Sequence, residues 1–335
     1  MTRLAMSRFL ATRVAALVAM LFVLSLVLFG LQQVSGQDPI AATMQHASAA
    51  AKAAARKAAG LDAPVPTQYV RYLDGLAHFD FGTSFRTHHP VLTDIKTYLP
   101  PTTELVVAAA IVAVVLGVIF AVSSAARWPG SGIYRALLYV GHTTPSFMLG
   151  IFGLIVFYQD TGWLPASGQV SDPEALPPSW HWVLLDSLIH GDSSLAGDDL
   201  IHLVMPAIAL GIAPALAIGR ILRSAIDVTL DSDYVRTARA KGIREWRVIA
   251  GHVLRNSVNG ALSMTGLQLG FMFGGVLVVE EVFTRPGLGS YLAASLADAD
   301  FPAVAGVTFV FAGVYIVANT IVDILQAAAD PRITL

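Results

Sequence analysis

Six stretches of the chain run for twenty residues or more without an acidic or basic side chain: 14–37, 105–126, 136–159, 200–219, 256–279 and 301–322. Each is close to the roughly 20 residues that carry a helix across a bilayer. The pattern predicts six spanning helices, at about 10–31, 103–125, 135–159, 201–222, 257–280 and 302–324, in one membrane domain over 1–335. The fourth holds Pro206, Gly211 and Pro214, which a helix inside a bundle tolerates. Arg3, Arg8 and Arg13 ahead of the first resemble a secretion signal, but the apolar run is long and no A-x-A site closes it, so a retained helix is expected. The fold class is all-α, with extended loops.

The polar remainder is uneven. An outer loop over 32–100 starts with an alanine-rich, weakly amphipathic helix and passes through Pro64 and Pro66 into a Tyr-, Phe- and Gly-bearing segment. A second, over 160–200, holds Pro165, Pro173, Pro177 and Pro178 with several acids. Both exceed what a turn needs, so each is read as a cap or docking surface, with a solvated connector as the alternative for 166–199.

The densest basic segment is 233–256, DYVRTARAKGIREWRVIAGHVLRN, within a loop over 224–256. Asp231, Ser232 or Asp233 offers an N-cap, and Gly242 marks a stop. Tyr234 and Ala238 share one helical face, and Ile243, Trp246, Ile249 and Val253 recur at helical spacing beyond the glycine. The prediction is helix, glycine elbow, helix.

Charge sets the orientation. Hydrophobic residues make up 55% and charged residues 13%, well below the share in a soluble domain. With the first residues in the cytoplasm, fourteen of the 21 Lys and Arg side chains lie inside, and Lys52, Arg56, Lys57, Arg71, Arg86, Lys96 and Arg285 lie outside on longer loops. Both termini are then cytoplasmic.

Little chemistry is offered. There is no cysteine, no G-x-x-x-x-G-K-[ST], no H-E-x-x-H and no G-x-S-x-G, so no catalytic residue, no metal site and no nucleotide site is assigned. His88 and His89 read as exposed loop residues. Glu104, Glu280, Glu281 and Asp323 sit at predicted helix ends and are expected to reach water. On the fifth apolar stretch Asn259, Ser263, Gly266, Gly270 and Gly274 share a quarter of the circumference. That face is either a packing seam or a wall of a wet pathway, with packing favoured.

The segment 233–256 resembles the cytoplasmic loop of inner-membrane permease subunits of binding-protein-dependent ABC importers, in the dipeptide, oligopeptide and nickel branch. Arg236, Thr237 and Ala238 stand at the E-A-A positions of that family's motif and Gly242 at its glycine; the acidic residue is missing. The similarity continues through LDAPVPTQYVRYL (61–73) and DFGTSFRTHHPVLTDIKTYLPPTTEL (80–105), where Phe79 replaces a usual glycine. It takes in Pro145, Ser146 and Phe147, GWLPASG (162–168), HLVMPAIALG (202–211), EEVFTRPGLG (280–289), and Asn319, Asp323, Asp330, Pro331 and Arg332. Their order and spacing most resemble the first of two permeases of a dipeptide or oligopeptide system.

The resemblance implies a type I ABC importer permease fold in the bacterial inner membrane, a homologous second permease, two ATPase subunits or domains that carry ATP and Mg, and an extracytoplasmic substrate-binding protein. It implies a peptide substrate, no nucleic acid partner and no cofactor in this chain. Arg236, Thr237, Ala238, Ala240, Lys241, Gly242, Ile243 and Trp246 become ATPase-coupling residues, Trp246 and Ile243 being an apolar anchor; lipid contact is the alternative for the arginines. Asn259, Ser263, Gly266 and Gly270 become pathway candidates, and Glu280, Glu281, Phe283, Pro286 and Gly287 an outer gate or docking segment. Nickel import by the same fold, and a secondary transporter or channel without an ATPase, are the competing functions. The second is expected to carry paired buried charges in mid-membrane or inverted repeats, and neither is evident in the sequence.

Overall fold

The computed structural model describes residues 3–35, 40, 47–59, 61–125, 132, 145–177 and 180–329. The described residues are helical apart from turns, loops and one isolated bridge between Thr83 and Pro90. In chain order the helices are α1 (Arg3–Ser35), α2 (Ala49–Ala59), α3 (Val65–Ala77), α4 (Val91–Ala125), α5 (Ser146–Gly153), α6 (Val183–His190), α7 (Ser193–Leu230), α8 (Asp233–Ala240), α9 (Glu245–Val248), α10 (Leu254–Val282), α11 (Leu288–Ala297) and α12 (Phe301–Ala329). A π-helical segment, Leu154–Asp160, extends α5, and another, Ile249–Val253, joins α9 to α10.

Five helical stretches among the described residues are long and apolar enough to cross a membrane: Ala11–Ser35, Val91–Ala125, Ser193–Leu230, Glu245–Val282 and Phe301–Ala327. The expected span at 135–159 is described only from 145 onward, as the apolar helix Ser146–Asp160. Asp330, Pro331 and Arg332 lie outside the described residues.

Helix α4 begins at Val91, twelve positions before its apolar stretch suggests, and runs straight through Pro100 and Pro101. Its 35 residues give a rod of about 52 Å, longer than the ~30 Å hydrocarbon layer. The polar first turns therefore stand clear of the bilayer. Helix α7, at 38 residues, is longer still.

The core is the contact between α4 and α7. Ala109, Ala113, Gly117 and Ala121 recur every fourth residue on α4, facing Ala207, Gly211, Ala215 and Gly219 on α7, and all eight are buried. A Cβ at Gly211 would lie 2.6 Å from the Ala109 carbonyl oxygen, and one at Gly117 would lie 3.0 Å from that of Ala215. Only small residues permit such an approach, and close packing of this kind holds helices together in lipid. Around it α10 packs on α7, α12 on α10, and α1 chiefly on α12. A second apolar cluster, Val91, Ile95, Leu288, Tyr291, Ala303 and Val307, ties α11 and α12 to the protruding end of α4.

Candidate functional site

Helices α8 and α9 form a hairpin at one end of the bundle. The N–H of Gly242 donates to the Arg239 carbonyl at 2.9 Å and that of Ile243 to the Ala238 carbonyl at 3.3 Å, with Gly242 at φ +74°. This pair of bonds closes the end of a helix when the residue after its last turn is left-handed, which explains the glycine. Across the elbow the Arg239 guanidinium donates twice to Glu245, Nη2 to Oε1 at 2.6 Å and Nε to Oε2 at 3.2 Å.

One face of the hairpin is anchored. Val235, Ala238, Val248 and Val253 are buried together with Leu222 and Ile226 of α7, and Ile243 packs against them. Arg236, Thr237, Ala240, Lys241 and Gly242 are exposed. Trp246 is 58% exposed, with the Arg247 guanidinium 5.2 Å above its ring, and Tyr234 is 45% exposed. The expected grouping of Trp246 with Ile249 and Val253 is therefore corrected, because the π-helical turn brings Val248, Ile249 and Val253 inward and leaves Trp246 outside. Tyr234 likewise parts from Ala238, which packs with Val235 instead.

At the opposite end lies an enclosed polar cluster absent from the sequence reading. The Arg285 guanidinium, with no exposed surface, donates to Asp199 Oδ1 at 3.1 Å and lies 3.4 Å from Glu104 Oε2. Glu104 also accepts from the Gln169 amide at 3.2 Å and the Leu184 N–H at 3.1 Å, so one carboxylate on α4 staples both halves of the 160–199 loop. Beside it the Glu280 carboxylate accepts from Thr102 Oγ1 at 2.6 Å and the Ser290 N–H at 3.0 Å, and Thr102 accepts from the Leu288 N–H at 2.7 Å.

The loop is thus a fixed cap over α4 and α7. Further out, Tyr291 donates to Asp94 at 2.8 Å while its ring stacks on Tyr98; burial pushes this hydroxyl well above its usual pKa, so it stays a donor.

One expectation falls here. Glu104 and Glu280 do not reach water, since both are buried and hydrogen-bonded; Glu281 is exposed, and Asp323 forms an ion pair with Arg13 that joins α12 to α1. Within the segment 280–287, expected as an outer gate or docking segment, Glu280, Phe283, Arg285 and Gly287 are buried and Glu281 and Pro286 are exposed. His88 and His89 are exposed, His89 standing 3.7 Å from Asp94.

The small face of α10 divides. Gly266 packs on Asn319 and Val322 of α12, and Gly270 on the Tyr315 ring, where an added Cβ would lie 2.7 Å from Cε2. These two form a packing seam within the chain, the alternative the sequence favoured for this face. Ser263 and Gly274 are exposed, and Asn259 is half-buried.

The fold and site define a polytopic, all-α membrane subunit with an anchored hairpin at one end and a capped polar corner at the other. Residues 113–335 match the family described as binding-protein-dependent transport system inner membrane component, and residues 6–106 match the N-terminal part of such membrane components. The chain belongs to this family. It is 36% identical over 284 residues to the probable D,D-dipeptide transport system permease protein DdpB of Escherichia coli, covering 83% of each chain. It is 34% identical to the di/tripeptide transport system permease protein DppB of Pseudomonas aeruginosa, over 98% of this chain and 99% of the relative. Against the glutathione transport system permease protein GsiC of Salmonella paratyphi A the identity is 32%, over 98% and 99%. The protein is an inner-membrane, multi-pass transport subunit rather than an enzyme. Membership implies a binding protein and an ATPase as partners.

Proposed function

We propose that this chain is one permease of an ATP-driven importer of di- or oligopeptides, forming half of a translocation pathway with a homologous second permease. The hairpin and both termini face the cytoplasm, where two ATPase subunits or domains bind ATP and Mg; the capped corner faces the binding protein.

The observation that carries this reading is the two-sidedness of the hairpin. Val235, Ala238, Val248 and Val253 bind it to the foot of α7, whereas Tyr234, Arg236, Lys241 and Trp246 project outward. A lever needs both features: attachment to the moving helices, and a free face with an aromatic anchor and orienting cations for a partner. The relatives named for dipeptide, tripeptide and glutathione transport support the substrate class.

The test is gentle extraction of the chain with its partners, followed by uptake in proteoliposomes. A P-loop ATPase, a second permease and ATP-dependent entry of a labelled dipeptide are expected. Entry of nickel ion instead of peptide overturns the substrate assignment, and transport by the isolated chain without ATP overturns the class.

A further inference from the structure

The face of α10 opposite the Gly266–Gly270 seam borders an open groove of about 420 Å³, flanked by the start of α5 and by α7. Ser146, Pro214, Arg220, Met264, Gln268 and Phe271 are among its lining residues. Two polar side chains there have no partner among the described residues. Arg220, half-buried, makes no ion pair or hydrogen bond among the described residues, whereas Arg223 on the same helix pairs with Asp227 at 2.8 Å. Gln268 is 8% exposed, and its amide likewise has no hydrogen bond among the described residues.

We propose that this groove is a wall of the translocation path, in which Arg220 and Gln268 hold the terminal carboxylate of a passing peptide; this rests on the peptide reading given above. A half-buried cation and a largely buried amide without protein partners are costly unless water or a ligand meets them, and such groups within membrane helices mark ligand paths. The guanidinium fork fits a carboxylate with two parallel hydrogen bonds. The Gln268 amide supplies a donor and an acceptor, which a peptide backbone can use. Pro214 has no N–H to give the Leu210 carbonyl, so this helix offers a further acceptor beside the groove.

The remaining walls suit varied cargo. Met264, Met272 and Phe271 are apolar, and the two methionines are conformationally adaptable, so they accommodate different side chains while the polar groups read what all peptides share. Arg220 lies about 31 Å along α7 from Asp199, which puts the carboxylate clamp near the inner boundary of the hydrocarbon.

The test uses the assembled transporter in proteoliposomes. The chain has no cysteine, so Phe271→Cys, at a position 67% exposed, supplies one reporter in the groove. A thiol reagent carrying a sulfonate is expected to outpace its trimethylammonium counterpart by about tenfold, the scale of a charge-assisted contact. Arg220→Gln should bring that ratio toward one and Arg220→Lys should keep it. Dipeptide supplied during turnover should slow labelling only where the cation is present, and uptake should fall about tenfold in Arg220→Gln and recover in Arg220→Lys.

An unchanged reagent ratio, or undiminished dipeptide uptake by Arg220→Gln at equal assembly, overturns the groove while leaving peptide import intact. A wild-type transporter that imports no peptide overturns the functional reading, and with it the ligand named here.

Discussion

Arg285 and Asp199 meet at 3.1 Å with neither side chain exposed, although 86 residues separate them in sequence. The pair joins the loop after α10 to the start of α7, and Glu104 draws in α4. Removing the guanidinium strands two carboxylates in an enclosed site. Arg285→Met is expected to lower stability by about 3–5 kcal/mol, and Arg285→Met with Asp199→Asn to lose less than the sum of the two single losses. Thermal unfolding of the detergent-extracted protein measures both; strict additivity means that the residues do not interact.

Helix α10 meets α12 where Gly270 faces the Tyr315 ring. Gly270→Ala should destabilise by about 1–3 kcal/mol through overpacking, and Tyr315→Leu in the same chain should restore part of the loss. Unfolding midpoints of the two single variants and the double variant give the answer. A pathway role without packing predicts no compensation.

Phe79 adopts φ +58°, a left-handed conformation that costs a side chain about 1 kcal/mol, and it is 67% exposed. Phe79→Gly should therefore stabilise the outer loop by roughly that amount. Slower proteolysis of the outer segments in the variant is the expected signature, and faster cleavage would show that the ring makes a contact worth more than the strain.

No atom comes within 4 Å of a Cβ placed at Gly242, so the demand for glycine there is conformational rather than spatial. Gly242→Glu is expected to abolish uptake while preserving membrane insertion, whereas Gly242→Asn, which tolerates positive φ, should retain a measurable fraction. Side-by-side transport assays at matched expression decide it, and wild-type uptake by Gly242→Glu refutes the elbow.

The apolar stretches and the basic hairpin were legible in the sequence because each depends on neighbours in the chain. Gly242, and Asp231 and Ser232 before Asp233, mark helix ends through local backbone chemistry, and the structure has α8 running between them. The polar corner was not legible. Glu104, Asp199 and Arg285 come from separate elements, and nothing in a one-dimensional pattern distinguishes a carboxylate at a wet helix end from one that a distant arginine covers. The early start of α4 was not legible either, since its first turns are polar and carry Pro100 and Pro101, and the apolar run alone marks the span. The closest small-residue seam lay in the alanines of α4, whose four-residue spacing is hard to see within an unbroken apolar run.

Arg13 and Asp323 are 310 positions apart, and among the described spanning helices α1 packs mainly on α12. At ordinary rates of synthesis the last of these helices emerges roughly 15–60 s after the first, and until then the arginine has no mate. The ion pair can close only on a finished chain. It therefore acts as a clasp between the first spanning helix and the last, made only after everything between them has been synthesised.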